Sequence, residues 1–283
     1  MLALSSNANE TTPPAVAALP QPVVVQENRQ ARILLAEDNS TSRTVAAAML
    51  KKLGHRAHLV TNGVEALQAL RDADYDLVFM DCGMPEMDGY EAKRRIRGQQ
   101  AGTRNPNIPI IAITADAMTG DREKCLRAGM DDYLAKPVDP RQLADILQKW
   151  LNRPANSGQV KPPVDEIPTG REATFNEADL LARLMEDKGL AGKVISSFLS
   201  DAPRQLRALK EMADAGDADG ARLQAHTLKG AAATVSAEAL RALCFEAQEA
   251  AASRELSRVV ALLPRLEEQL ERLKTTLKQS GWT

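Results

Sequence analysis

Five positions combine oxygen and nitrogen chemistry with a shared placement. Glu37 and Asp38 follow the apolar run Ile33–Ala36, Asp81 follows Leu77–Met80, Thr114 follows Ile110–Ile113, and Lys136 follows a short run at Tyr133 and Leu134. Carboxylates crowded into one pocket repel one another unless a cation offsets them. An all-oxygen set of hard donors suits Mg2+, which takes one or two carboxylates, waters and a phosphate oxygen. A lysine and a hydroxyl beside such a pocket suit phosphoryl transfer. Asp81 would be the nucleophile, Lys136 would offset charge on the phosphoryl oxygens, and Thr114 would hydrogen-bond the group once attached. A second candidate stands alone: of the three histidines His55, His58 and His226, only His226 has a lysine three residues on and a glycine one turn on, Lys229 and Gly230.

The elements that must position the first set are visible in the apolar pattern. Short runs at 33–36, 57–60, 77–80, 110–113 and 133–134 alternate with amphipathic stretches near 41–53, 63–71, 88–98, 118–128 and 139–151. That alternation predicts a five-stranded parallel α/β sheet with helices on both faces. Ligands of such sheets sit beyond the carboxyl ends of the strands, where all five residues fall. In a flavodoxin-like strand order the first and third strands are neighbours, which brings Glu37, Asp38 and Asp81 together. After residue 172 the strand pattern stops. Helices are expected near 176–187, 190–215, 217–233, 236–252 and 255–279, the last with Leu256, Val259, Leu263, Leu266, Leu270, Leu273 and Leu277 as a bundle seam and Pro264 as an interruption. On the helix carrying His226, the stripe Ala221, Ala225, Leu228, Ala232 and Val235 faces the core. His226 then faces solvent, with Arg222 and Lys229 close enough to attract an anion.

Proline marks the boundaries. Eight of the 15 prolines fall within residues 1–31 and 153–171. Those segments read as a disordered leader and a flexible linker, leaving folded blocks at 32–152 and 172–283. A 19-residue linker spans roughly 25 Å or more, enough for the two blocks to dock within one chain. The chain of 283 residues has 36 basic and 38 acidic groups, a net charge of −2 and 3% aromatic residues. Neither a phosphate-backbone surface nor a base-stacking platform is expected, so nucleic acid is an unlikely partner by charge and composition. No long apolar run spans a membrane and no signal peptide is evident, which together with the scattered Cys82, Cys125 and Cys244 fits reduced thiols in a cytoplasmic setting.

Each motif has a plain structural reading. A lone Asp after a strand is ordinarily a cap or turn residue, and a lone surface His is ordinarily only solvated. Four strand ends with complementary chemistry in order are harder to assign to turns. Flavodoxin-type phosphate binding needs a Ser/Thr-rich first loop, which Glu37 and Asp38 replace. A haloacid-dehalogenase-type phosphatase needs an Asp at position 83, where this chain has Gly83. A di-iron bundle needs Glu three residues before His226, and the residue there is Leu223. Cys82 beside the acceptor reads as a packed thiol, and His55 and His58 as surface or packing residues.

With ILLAEDN at 33–39, LVFMDCGMPEMDGYEA at 77–92, IIAITADAM at 110–118 and GMDDYLAKPVD at 129–139, the first block resembles the receiver domains of bacterial two-component response regulators. The resemblance implies phosphorylation of Asp81. It implies Mg2+ held by Asp38, Asp81 and the backbone carbonyl of Gly83, with Glu37 acting through water. It further implies Thr114 and Tyr133 as switch residues and a cis peptide at Lys136–Pro137. The string AHTLKGAAATVSA at 225–237 resembles histidine phosphotransfer (HPt) domains, which are helical bundles built around four helices. That resemblance implies His226 as phosphoacceptor, Lys229 as the neutralising cation and Gly230 as the position that admits a receiver. Together they imply a phosphorelay in which a histidine kinase loads Asp81 and His226 passes phosphate to a downstream response regulator. A phosphorylation-switched adaptor and a reverse-flow phosphate sink are the alternatives. No ATP-binding kinase motif is evident, so the expected context is either the C-terminal part of a hybrid sensor histidine kinase, tethered through its parent, or a free-standing relay protein.

Overall fold

A computed structural model describes residues 31–98, 102–114, 125–151 and 174–282. Residues 1–30 of the expected leader, the linker at 153–171 and residues 118–124 of the helix predicted near 118–128 lie outside the described residues. Five strands, β1 (Arg32–Ala36), β2 (Arg56–Val60), β3 (Leu77–Asp81), β4 (Ile110–Thr114) and β5 (Asp132–Ala135), form one parallel sheet in the order β2-β1-β3-β4-β5. The sequence pattern anticipates this order. Strands β3 and β4 are buried along their whole length, as the interior of a sheet covered on both faces requires.

The period of two sorts side chains onto two cores. Ile33, Leu35, Phe79, Ile111 and Ile113 pack with α1 (Ser40–Lys52) and α4 (Pro140–Leu151). Leu34, Val78, Met80, Ile110 and Ala112 pack with α2 (Gly63–Asp72) and α3 (Gly89–Arg97). The helices start where side chains can hold orphan amides: Asn39, Asn62 and Asp88 each accept a backbone N–H at the N-terminus of α1, α2 and α3. Asn39 does more than cap. It turns the chain into α1 immediately after Asp38, which pins the acidic pair at the end of β1.

The remainder is helical: short α5 (Glu177–Arg183), then α6 (Lys188–Asp214), α7 (Ala218–Thr234), α8 (Glu238–Ala252) and α9 (Leu256–Gln279). Helix α5 stops earlier than the pattern predicts. Met185 and Glu186 take positive φ (53° and 58°), and the chain reverses so that Asp187 caps α6. Two prolines lie inside helices, Pro203 in α6 and Pro264 in α9. The sequence treats Pro264 as an interruption, yet α9 is continuous through it. Pro264 and Val260, whose carbonyl loses its intrahelical partner, are both exposed, so water can satisfy that carbonyl. The seam residues Val259, Leu263, Leu266, Leu270, Leu273 and Leu277 are buried as expected. Among the described residues, no helix is long and apolar enough to cross a membrane.

The two blocks are in contact. The apolar core on the α1–α4 side of the sheet is continuous with the core of the bundle. Polar contacts line the seam: Ser42 Oγ and Thr234 Oγ1 are 3.2 Å apart, Ser40 hydrogen-bonds Asp201, and Lys52 Nζ reaches the Asp187 carboxylate and the Leu184 carbonyl, each at 3.0 Å.

Candidate functional site

The ends of four strands, β1, β3, β4 and β5, deliver the groups of the pocket. Glu37 continues from β1, its N–H bonded to the Val60 carbonyl at 3.1 Å, and Asp38 follows, one residue before the Asn39 cap of α1. Asp81 is the last residue of β3, where its backbone is in register with Ile113 of β4. Thr114 ends β4, buried, and its carbonyl accepts the Lys136 N–H at 2.6 Å. The Lys136–Pro137 peptide is cis, as the resemblance implies.

Carboxylate oxygens of Glu37, Asp38 and Asp81 lie within 4.8 Å of one another. Lys136 Nζ bridges two of them, at 2.7 Å from Asp81 Oδ2 and 2.7 Å from Glu37 Oε2. The second Asp81 oxygen accepts the Gly83 N–H at 3.1 Å. Burial and the neighbouring carboxylates push Glu37 up to about 8 and Asp38 up to about 6 despite Lys136. Lys136, held by three acids, is raised above the ordinary lysine range even though burial opposes it. One ammonium leaves the cluster short of positive charge. The donor set therefore fits a hard divalent cation.

The bundle places His226 against this pocket. A Cβ built on Gly83 would lie 2.9 Å from both Cδ2 and Nε2 of the imidazole. Only the bare backbone of glycine admits the ring so near Asp81. On the opposite ring edge, His226 Nδ1 is 3.2 Å from Gln248 Oε1 of α8. If Nδ1 carries the proton and donates to this amide oxygen, Nε2 keeps its lone pair on the side facing Gly83. Thr227 Oγ1 donates to Asp38 Oδ2 at 3.1 Å.

The expectation that His226 faces solvent needs correction. It is half-buried, and Lys229 and Gly230 are buried, because the receiver covers the face of α7 opposite the predicted core stripe. The stripe itself is buried as expected, while Arg222 remains exposed. Gly230 does face the receiver, but a Cβ there would meet Lys136 Cδ at an ordinary 3.7 Å. The tight approach is at Gly83. Lys229 places its ammonium 5.3 Å from the centre of the Phe245 ring. Tyr133 is half-buried against the apolar cluster of the α2–α3 side. Cys82 is a packed thiol, as expected, with its Sγ 3.6 Å from that of Cys125 and no disulfide between them. His58 lies on the surface, stacked on Tyr75. The sequence reading missed Gln248, Thr227 and the steric role of Gly83. For Gln248 the only sequence signal is a buried-side polar residue within an apolar helix, 22 positions from the histidine it touches.

Residues 33–148 match the Response regulator receiver domain family, and residues 193–276 match the Hpt domain family. The sensor histidine kinase GacS of Pseudomonas protegens is 30% identical over 254 residues, covering 89% of this chain and 28% of GacS. Probable histidine kinase 1 of Oryza sativa subsp. indica is 37% identical over 152 residues, covering 44% of this chain and 16% of that one. This chain thus spans less than a third of the length of these relatives. Among solved structures, the receiver domain of sensor histidine kinase PA1611 from Pseudomonas aeruginosa, described with magnesium in its active-site cleft, is 48% identical, with a TM-score of 0.40, covering 44% of this chain and 99% of that chain. The chain therefore joins a response regulator receiver domain, at residues 33–148, to an Hpt domain, at residues 193–276.

Proposed function

We propose that Asp81 accepts phosphate from an upstream histidine kinase and that His226 takes it from Asp81 for delivery to a downstream response regulator. The observation that carries this reading is the seating of the His226 imidazole on Gly83, two residues from Asp81 and on the ring edge opposite Gln248. In the step between them, the bond from phosphorus to the Asp81 oxygen breaks as a bond from phosphorus to Nε2 forms. Asp81 is left as a carboxylate, with Lys136 positioned to hold it. Gln248 holds the imidazole at Nδ1 and stabilises the cationic ring of the phosphorylated histidine.

Glu37, Asp38, Asp81 and the carbonyl of Gly83 would hold Mg2+, which when bound screens the charge on the phosphoryl oxygens. Thr114 hydrogen-bonds the phosphoryl group on Asp81, and Thr114 and Tyr133 register its presence. Lys229 supplies positive charge beside the phosphorylated histidine. Residues 32–152 and 172–283 act as the two units, joined by the linker at 153–171.

The test uses labelled phosphate delivered by a cognate histidine kinase. Label appears first on Asp81, then on His226, and the Asp81→Asn chain acquires none. Label reaching His226 directly in that variant would reverse the order. Time courses started from a phosphorylated response regulator measure the opposite flow.

A further inference from the structure

Glu37 and Asp81 are both tied to Lys136, from their own domain. Asp38 is held differently. Its carboxylate takes a hydrogen bond from the backbone of its neighbour Asn39 and one from Thr227, on the other domain, at 3.1 Å between Oγ1 and Oδ2. Asp38 is also the partly exposed member of the trio, whereas Glu37 and Asp81 are buried. A partly exposed carboxylate held by one neighbouring amide keeps rotational freedom about χ1 and χ2 unless a second contact fixes it. Thr227 follows His226 directly on α7, so the turn that seats the imidazole on Gly83 also carries the hydroxyl to Asp38.

We propose that Thr227 is a positioning residue of the transfer reaction, fixing the Asp38 carboxylate so that the cation pocket reaches its full affinity when the two domains are paired. The contact uses one lone pair of the carboxylate and leaves others for a cation. Pairing and cation binding are then linked, each strengthening the other by the same factor. The Mg2+ part of this inference needs only the pocket; its consequence for transfer rests on the relay reading above.

The experiment titrates the full chain with MgCl2 by calorimetry, comparing wild type, Thr227→Val and Thr227→Ser. Valine keeps the shape and removes the hydroxyl, and serine restores it. The expected result is a Kd for Mg2+ raised about 3- to 10-fold by valine and changed by less than about twofold by serine, the scale of one hydrogen bond to a charged group. At saturating Mg2+, phosphoramidate labels Asp81 equally in all three chains. Equal Mg2+ affinity in wild type and Thr227→Val would overturn the proposal. So would equal weakening by serine and valine, which reports packing and not the hydroxyl. A wild-type chain that labels Asp81 but never His226 would instead overturn the relay reading, leaving the Mg2+ comparison standing.

Discussion

The strand-end pocket and the helix of His226 place their proposed phosphoacceptors in opposite ways. Asp81 is 1% exposed, in a pocket assembled from the ends of β1, β3, β4 and β5. His226 rides on one helix, with Gln248 of the next helix against its Nδ1 edge. The first site brings its own acids and ammonium. The second brings a nucleophile and a hydroxyl, and has chemistry to do only against the first. A pocket that holds charge must bury and pair it. On the relay reading, the control of reactivity resides in the receiver pocket, and the bundle carries the imidazole to it.

Removing each acceptor separates the two most sharply. Asp81→Asn is expected to abolish kinase-dependent labelling of the whole chain. His226→Gln should leave labelled Asp81 intact and stop phosphate there, as read by autoradiography of the trapped chain. Equal loss in both variants would break the distinction between a reactive pocket and a passive carrier.

Glycine provides the next comparison. A methyl at Gly83 would sit 2.9 Å from the imidazole, whereas one at Gly230 would sit 3.7 Å from Lys136. Gly83→Ala is expected to slow transfer from Asp81 to His226 about 100-fold, the scale of an ångström-size misplacement. Gly230→Ala should cost less than about threefold, because its methyl makes an ordinary contact. Single-turnover transfer rates decide this, with Asp81 labelling by phosphoramidate as the control for an intact pocket.

Orientation on the carrier should matter less than access. Gln248→Leu removes the acceptor for Nδ1 and lets the ring take either tautomer. Transfer is expected to fall about tenfold, with the tautomer ratio read directly from imidazole nitrogen chemical shifts. A variant ring still held in one tautomer at the wild-type rate would remove Gln248 from the mechanism.

A small effect is also expected at the rim of the interface. Lys52 and Asp187 pair at 3.0 Å with side chains 31% and 38% exposed. Lys52→Met should weaken docking by no more than about fivefold at low salt, and the difference should vanish in 1 M NaCl. Transfer rates across a salt series measure it. A large, salt-insensitive loss would mean that the rim, and not the Gly83 contact, holds the domains together.

Much of the receiver was legible because its site is made of strand ends. Alternation located β1, β3 and β4, and the residues after them had to converge once the parallel order was assumed. The core stripe of α7 was legible for a similar reason, since Ala221, Ala225, Leu228 and Ala232 repeat at the helical period. The opposite face was read as open to water. Hydropathy cannot show what covers a polar face: Thr227, Thr234 and Ser42 have the composition of a solvated surface and are here a seam between domains. The end of α5 was also misplaced, because the reversal depends on two residues with positive φ, Met185 and Glu186, that carry no glycine signal.

The residue types and their order along the chain determined the five-stranded parallel sheet, the acidic strand ends, Lys136 and the helix that carries His226, since periodicity and local chemistry are properties of neighbouring residues. Only the tertiary structure decided that Gln248 holds the imidazole, that Gly83 is where the ring lies, and that Thr227 reaches Asp38. Those contacts join positions up to 189 residues apart. Their geometry is set by how α7 and α8 pack and how the bundle meets α1, which depends on the summed shape of both cores and not on any local pattern.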